Sequence, residues 1–282
     1  MKRLARYIFI LLLILITLLT WLTVTESGLR WVYHRAIPYL PAGLALGKIE
    51  GTLIGPITIS DFQYQQQGTL VKTDQLLIDW QPSALLYTNI SISRIDIQTL
   101  NITLTDAKKP ADAPTGAITL PDINLPWMVR LKHAQISGFS LTQNGQTTTI
   151  NQIRLSASSI FSRLNIKELS VKADTFFVNV NGKIKPTGNY SHDLNIDWET
   201  SLPSQTVIRG TGQLVGNVET TTIKQQVSSP LQLSLEAQVN DLLDQLNWQS
   251  KVNIPECELS RRDKTLPALQ AALTHDASGE LS

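Results

Sequence analysis

The sequence predicts a mainly β protein hung from one N-terminal transmembrane helix. A short amphipathic helix follows, then an elongated, curled β-sheet with an apolar groove. Three observations carry this expectation. Residues 7–24, YIFILLLILITLLTWLTV, contain no charge, no Pro and no Gly. From Leu44 onward the spacing of apolar residues changes from a helical period to an alternation of two. Between the alternating runs sit Gly, Pro and Asn in turn-like pairs.

The anchor comes first. A spanning helix needs about 20 mostly apolar residues, and this run with its edges is long enough. Its Ile, Leu, Val and Phe side chains contribute roughly −0.3 to −0.6 kcal/mol each near the bilayer centre, about 4–8 kcal/mol in favour of insertion. Thr17, Thr20 and Thr23 weaken this mildly, because a Thr hydroxyl can bond a carbonyl one turn back. Tyr7 and Val24 bound the segment, and Trp21 stands where an interfacial aromatic belt is expected. Lys2, Arg3 and Arg6 precede the run, and the first charge after it is Glu26. The positive-inside rule then puts the N-terminus in the cytoplasm and exports the rest. A cleaved signal peptide has the same basic start, but the apolar run is longer and no Ala-x-Ala site follows.

Residues 27–43 begin with an amphipathic segment. Leu29, Val32, Tyr33, Ala36 and Ile37 form a helical stripe over 27–39, with Ser27 as a candidate N-cap. Pro38 and Pro41 end it. It reads as a helix on the membrane surface or as a plug at the end of the β structure, two compatible readings, and the plug is favoured because the stripe is narrow and leads straight into strands.

Residues 44–105 read as a first β segment. Ile57 and Ile59 alternate, as do Leu76, Ile78 and Trp80. Ile90 and Ile92 are followed by Ile95 and Ile97, then by Ile102 and Leu104. Residues 82–87 read as one helical turn between two strands. Residues 106–117, rich in Ala, Asp, Lys and Pro, read as a linker or long loop. Residues 118–282 continue the alternation at Phe139 and Leu141, Val178 and Val180, Leu194, Ile196 and Trp198, Leu231, Leu233 and Leu235, and Trp248, Val252 and Ile254. Gly55-Pro56, Asn144-Gly145, Asn181-Gly182 and Gly210-Thr-Gly212 read as turns. Residues 217–229 alternate poorly. Residues 273–281 look like the opening of another strand pair, which suggests that the polypeptide continues or that a partner covers this edge.

Composition excludes several classes. The net charge is +1, so there is no nucleic-acid footprint. The single cysteine, Cys257, leaves no intrachain disulfide. His34, His133, His192 and His275 stand far apart, without metal-ligand spacing. Gly43 to Lys48 lacks the spacing and the Ser or Thr of a phosphate loop. No G-x-S-x-G elbow occurs. No catalytic, metal or cofactor site is expected, and the chain does not read as an enzyme.

Glu26-Ser-Gly-Leu-Arg-Trp31 after a single anchor, and the run over 44–104, resemble the start of the TamB family of the AsmA-like group. Gly47, Ile49, Gly51 and Leu53 match the family's G-x-(V/I)-x-G-x-L strand start. Leu76, Ile78 and Trp80 match its Leu-x-(Leu/Val)-x-Trp strand, and residues 90–104 match its Ile-rich strand pair. The resemblance covers about the first 105 residues, and more loosely continues to about Gly212. It implies a single-pass inner-membrane protein with its bulk in the periplasm as a β-taco, a folded-over sheet around an apolar groove. It also implies phospholipid as cargo between inner and outer membranes. An outer-membrane barrel partner is expected for full-length members, but the C-terminal domain that engages it has no counterpart here, so the sequence reads as an N-terminal portion.

The leading expectation is a hydrophobic conduit for phospholipid. Ile57, Ile59, Leu76, Ile78, Trp80, Ile95, Ile97, Ile102 and Leu104 would line the groove, with the helix over 27–39 at its mouth. Burying acyl chains there is worth about 0.8 kcal/mol per methylene. The alternative is a scaffold or chaperone for outer-membrane protein assembly, in which a sheet edge templates an incoming strand. A spacer without cargo is the third reading.

Overall fold

A computed structural model describes residues 2–66, 68–105, 120–125, 127–203, 206–229, 232–243, 246–258 and 270–281. Helix α1 (Lys2–Val24) opens the chain. Its window at residues 6–24 has a mean hydropathy of 2.6, and none of it is buried. Thr17, Thr20 and Thr23 each donate a 2.8 Å hydrogen bond to the carbonyl four residues back, which keeps their hydroxyls satisfied along an apolar surface.

Helix α2 (Glu26–Ala36) follows after a single residue. Thr25, not Ser27, is its N-cap. Thr25 is extended, and its hydroxyl accepts from the Gly28 amide at 3.1 Å. Ser27 lies inside the first turn, with its hydroxyl 3.0 Å from that of Thr25. The helix ends before a 3-10 turn over Ile37–Tyr39 that contains Pro38. Gly28 lets α2 fold back on α1, because a Cβ there would collide with the Leu22 carbonyl. The expected stripe faces inward: Leu29 is buried, and Val32, Tyr33 and Ala36 are half-buried, while Ile37 is exposed.

The rest is strand. In order these are β1 (Leu44–Ala45), β2 (Ile49–Gly51), β3 (Ile57–Gln66), β4 (Thr69–Gln81), β5 (Asn89–Leu104), β6 (Met128–Gln143), β7 (Gln146–Ile160), β8 (Arg163–Lys172), β9 (Phe176–Ile184) and β10 (His192–Ser201). Then come β11 (Val207–Gly216), β12 (Thr220–Ser229), β13 (Leu233–Asn240), β14 (Leu246–Glu258) and β15 (Gln270–Leu281). A 3-10 turn, Pro82–Tyr87, joins β4 to β5 at the expected place. The mainly β expectation, with an apolar helix and a short helix ahead of a long meandering sheet, is what the chain adopts.

Contacts divide the chain into two units. The first comprises Met1–Lys109 with Arg130–Thr149, and the second Pro110–Val129 with Ile150–Ser282. In the first, hydrogen-bonded neighbours run β1-β3-β4-β5-β6-β7, with β2 also on β3. Helix α2 packs on β2, where Leu29 and Ile49 are both buried. In the second, β7 to β15 pair in sequence order. The β-pairs whose register is established are all antiparallel, as consecutive strands joined by short turns require.

Several turn and loop expectations need correction. Asn181-Gly182 lies inside β9, and Gly210-Thr-Gly212 inside β11. Their glycines serve close approach rather than turning: a Cβ on Gly210 would sit 2.5 Å from the Trp198 ring, and one on Gly182 2.8 Å from Leu194 Cα. Asn144-Gly145 is a turn, with φ of 52° and 77°. Residues 220–229 form the strand β12 despite their poor alternation, with a bulge at Ser228. Residues 273–281 belong to β15, which pairs with β14. The linker expected at 106–117 and Leu231 lie outside the described residues.

Candidate functional site

Cross-strand partners share a face of a sheet, so register shows what the alternation builds. In the first unit Ile57, Ile78 and Ile95 are successive partners across β3, β4 and β5. Ile59, Leu76 and Ile97 form the next row, which Ile49 of β2 extends. Trp80 lies beside Ile92, one step past a bulge at Ser93. All of these except Ile49 are half-buried.

Ile102 and Leu104 need one more device, because they are out of phase with Ile95 and Ile97. Asp61 in β3 and Thr99 in β5 have φ of 53° and 56°. Neither residue is paired, although the register on both sides of each is unchanged. A left-handed residue interrupts the extended backbone, so the side chains beyond it need not continue the same alternation. The apolar alternation changes phase at these points, from Ile57 and Ile59 to Phe62 and Tyr64, and from Ile95 and Ile97 to Leu100, Ile102 and Leu104. β4 changes phase between Thr73 and Leu76. Gly138 of β6, φ 79°, lies beside Thr99. The row is held by Thr73, which is buried and donates from its hydroxyl to the Gln98 carbonyl at 2.5 Å. The ladder is thus interrupted at neighbouring positions of β3, β4 and β5. Val71 then partners Ile102, and Thr69 partners Leu104.

The second unit repeats the design. Leu155, Leu169, Val180, Ile196, Gly212, Gln225, Leu235 and Val252 are successive partners. Beside them run Ala157, Ile166, Gly182, Leu194, Leu214, Ile223 and Ala237. The intervening residues make a polar face, with Asn181, Asn195, Gln213, Lys224, Glu236 and Lys251 in one row. Lys224 and Glu236 pair there at 3.2 Å.

Two polar residues on the apolar face are satisfied locally. Gln225 accepts from the Trp198 indole at 3.0 Å, and this ring lies over Gly210. His192 is within 3.1 Å of the Thr221 hydroxyl, which donates to the Asn217 carbonyl at 2.6 Å. Trp248 lies over Gly279 in the same way that Trp198 covers Gly210. Sequence reasoning missed these tryptophan–glycine pairs, because the partners are 12 or more residues apart.

Most side chains of the apolar rows are half-buried rather than buried. Among the described residues only Leu29, Ile49, Ala157 and Ile166 are buried hydrophobics. Among the described residues no cluster of His, Cys, Asp or Glu could hold a metal. The apolar rows run from strand to strand, across the sheet. Tyr7, Trp21 and Val24 are exposed on α1.

No solved structure matches the chain. The family described as TamB, N-terminal domain, matches residues 14–147 and 112–279, and the chain belongs to that family.

Proposed function

We propose that this TamB-family chain is the membrane-anchored start of a hydrophobic conduit for phospholipid between the inner and outer membranes. On this reading α1 crosses the inner membrane once with its N-terminus in the cytoplasm, and the strands stand in the periplasm. The observation that carries the reading is the apolar face: row after row of Ile, Leu and Val, half-buried, behind a helix that can span a bilayer. Ile57, Ile59, Leu76, Ile78, Trp80, Ile95, Ile97, Ile102 and Leu104 would contact acyl chains, and polar head groups would stay at the open side. Movement is passive, since a chain leaves one apolar row for the next at little net cost.

In-cell photocrosslinking tests it. A photoreactive residue replaces Ile78, Ile196 or Asp197 in turn. Phospholipid adducts at 78 and 196 but not at 197, on the polar face, are expected. Adducts with outer-membrane protein precursors instead would favour a scaffold in protein assembly. Absence of both from folded, exported protein would favour a spacer.

A further inference from the structure

The end of the first unit that meets α1 is built from two uncharged segments. The β2–β3 connection docks on the helix: the Ile54 amide donates to the Thr23 carbonyl at 3.3 Å. The Trp80 indole donates to the Leu53 carbonyl at 3.1 Å and so fixes the end of β4 to the same loop. From there the chain enters the turn Pro82–Tyr87. No charged residue occurs in 51–60 or in 80–93. Yet these tips display large apolar side chains: Leu86 is 83% exposed, Tyr87 81% and Ile54 46%. The opposite end of β3 carries Gln65, Gln66, Gly68 and Thr69 instead.

The position of Thr23 gives these side chains a partner. At about 1.5 Å per residue, the window of 19 residues in α1 is about 28 Å long, close to the hydrocarbon thickness. Thr23 then lies at the hydrocarbon edge, and a loop bonded to it lies at the head groups. Tyr and aliphatic side chains suit that layer. We infer that the tips at residues 52–56 and 82–87 form a second membrane contact, with Ile54, Leu86 and Tyr87 seated in the head-group layer of the leaflet from which α1 emerges. The contact rests on α1 spanning the bilayer, as proposed above. It brings the first apolar row, at Ile57, Ile78 and Ile95, next to the lipid.

The test uses the full chain with Cys257→Ser and one new cysteine, Leu86→Cys, carrying an environment-sensitive dye. The protein is placed in phosphatidylethanolamine–phosphatidylglycerol nanodiscs with nitroxide-labelled lipids. Leu13→Cys reports insertion of α1, and Gln66→Cys marks the far end. A shallow nitroxide is expected to quench the dye at 86 at least about twofold, as for an interfacial group, and to leave that at 66 unchanged. Tyr87→Cys repeats the measurement should Leu86→Cys fold poorly. Quenching at 13 with 86 behaving like 66 overturns the tip contact and leaves the anchor standing. Absence of quenching at 13 overturns both.

Discussion

Replacing Ile78 by Asp isolates the apolar face from the fold. Ile78 sits between Ile57 and Ile95, with Ile59, Leu76 and Ile97 in the next row, and is half-buried. Full burial of an Ile is worth about 1.5–3 kcal/mol, so a half-buried one costs about 1 kcal/mol to lose. The new carboxylate keeps access to water, so the fold survives. An acyl chain crossing that row would meet the carboxylate and strip its water. On an insertion scale an Asp amid lipid chains costs about 2.5–3.5 kcal/mol, which lowers occupancy on the order of 10²-fold. The assay is phospholipid adduct formation at a photoreactive residue replacing Ile97, with Ile78→Asp elsewhere in the same chain. Adduct should fall below detection. Gln75→Asp, between Ser60 and Gln98 on the other face, should leave it intact. Folded Ile78→Asp protein with adduct within about twofold of wild type, far from the expected loss, would refute the reasoning.

Other substitutions probe the packing. Gly210→Ala forces a Cβ into the Trp198 ring and within 2.9 Å of the Gln226 carbonyl; it should cost about 1–3 kcal/mol in urea unfolding, and less than additively when combined with Trp198→Ala. Thr221→Val at a side chain only 2% exposed removes the partner of His192 and of the Asn217 carbonyl, for a loss of about 1–3 kcal/mol by the same measurement. Trp80→Phe keeps the ring but deletes the bond to Leu53; about 1 kcal/mol of local stability should go, seen as faster amide exchange at residues 53–55.

Much of the fold was legible because its signals are local. The β5 stretch NISISRIDIQTLNITL shows its apolar residues in three sets, and each change of set marks a bulge at Ser93 or the left-handed residue Thr99. The sets were readable; that they form one strand was not, since two phase breaks look like two turns. The glycines of β9 and β11 misled for a related reason. A glycine against a neighbouring strand, as Gly182 and Gly210 are, and a glycine in a turn look alike until the strand opposite is known. β12 looked irregular because Gln225 holds an apolar-face position, and the Trp198 indole that satisfies it lies 27 residues away. Ser27 looked like the cap because the stripe begins at Leu29, but Thr25 is the residue left extended between two helices.

By itself, the sequence determined that one uncharged apolar helix precedes a long run of strands, each with one apolar and one polar face. Hydropathy and a period of two depend only on neighbours along the chain, and they hold whatever pairs with what. Only the tertiary structure decided which residues meet: Ile78 between Ile57 and Ile95, Trp198 over Gly210, the Ile54 loop on Thr23. Register is settled by hydrogen bonds and side-chain fit between residues tens of positions apart, and a slip of one residue would turn every apolar side chain to the other face.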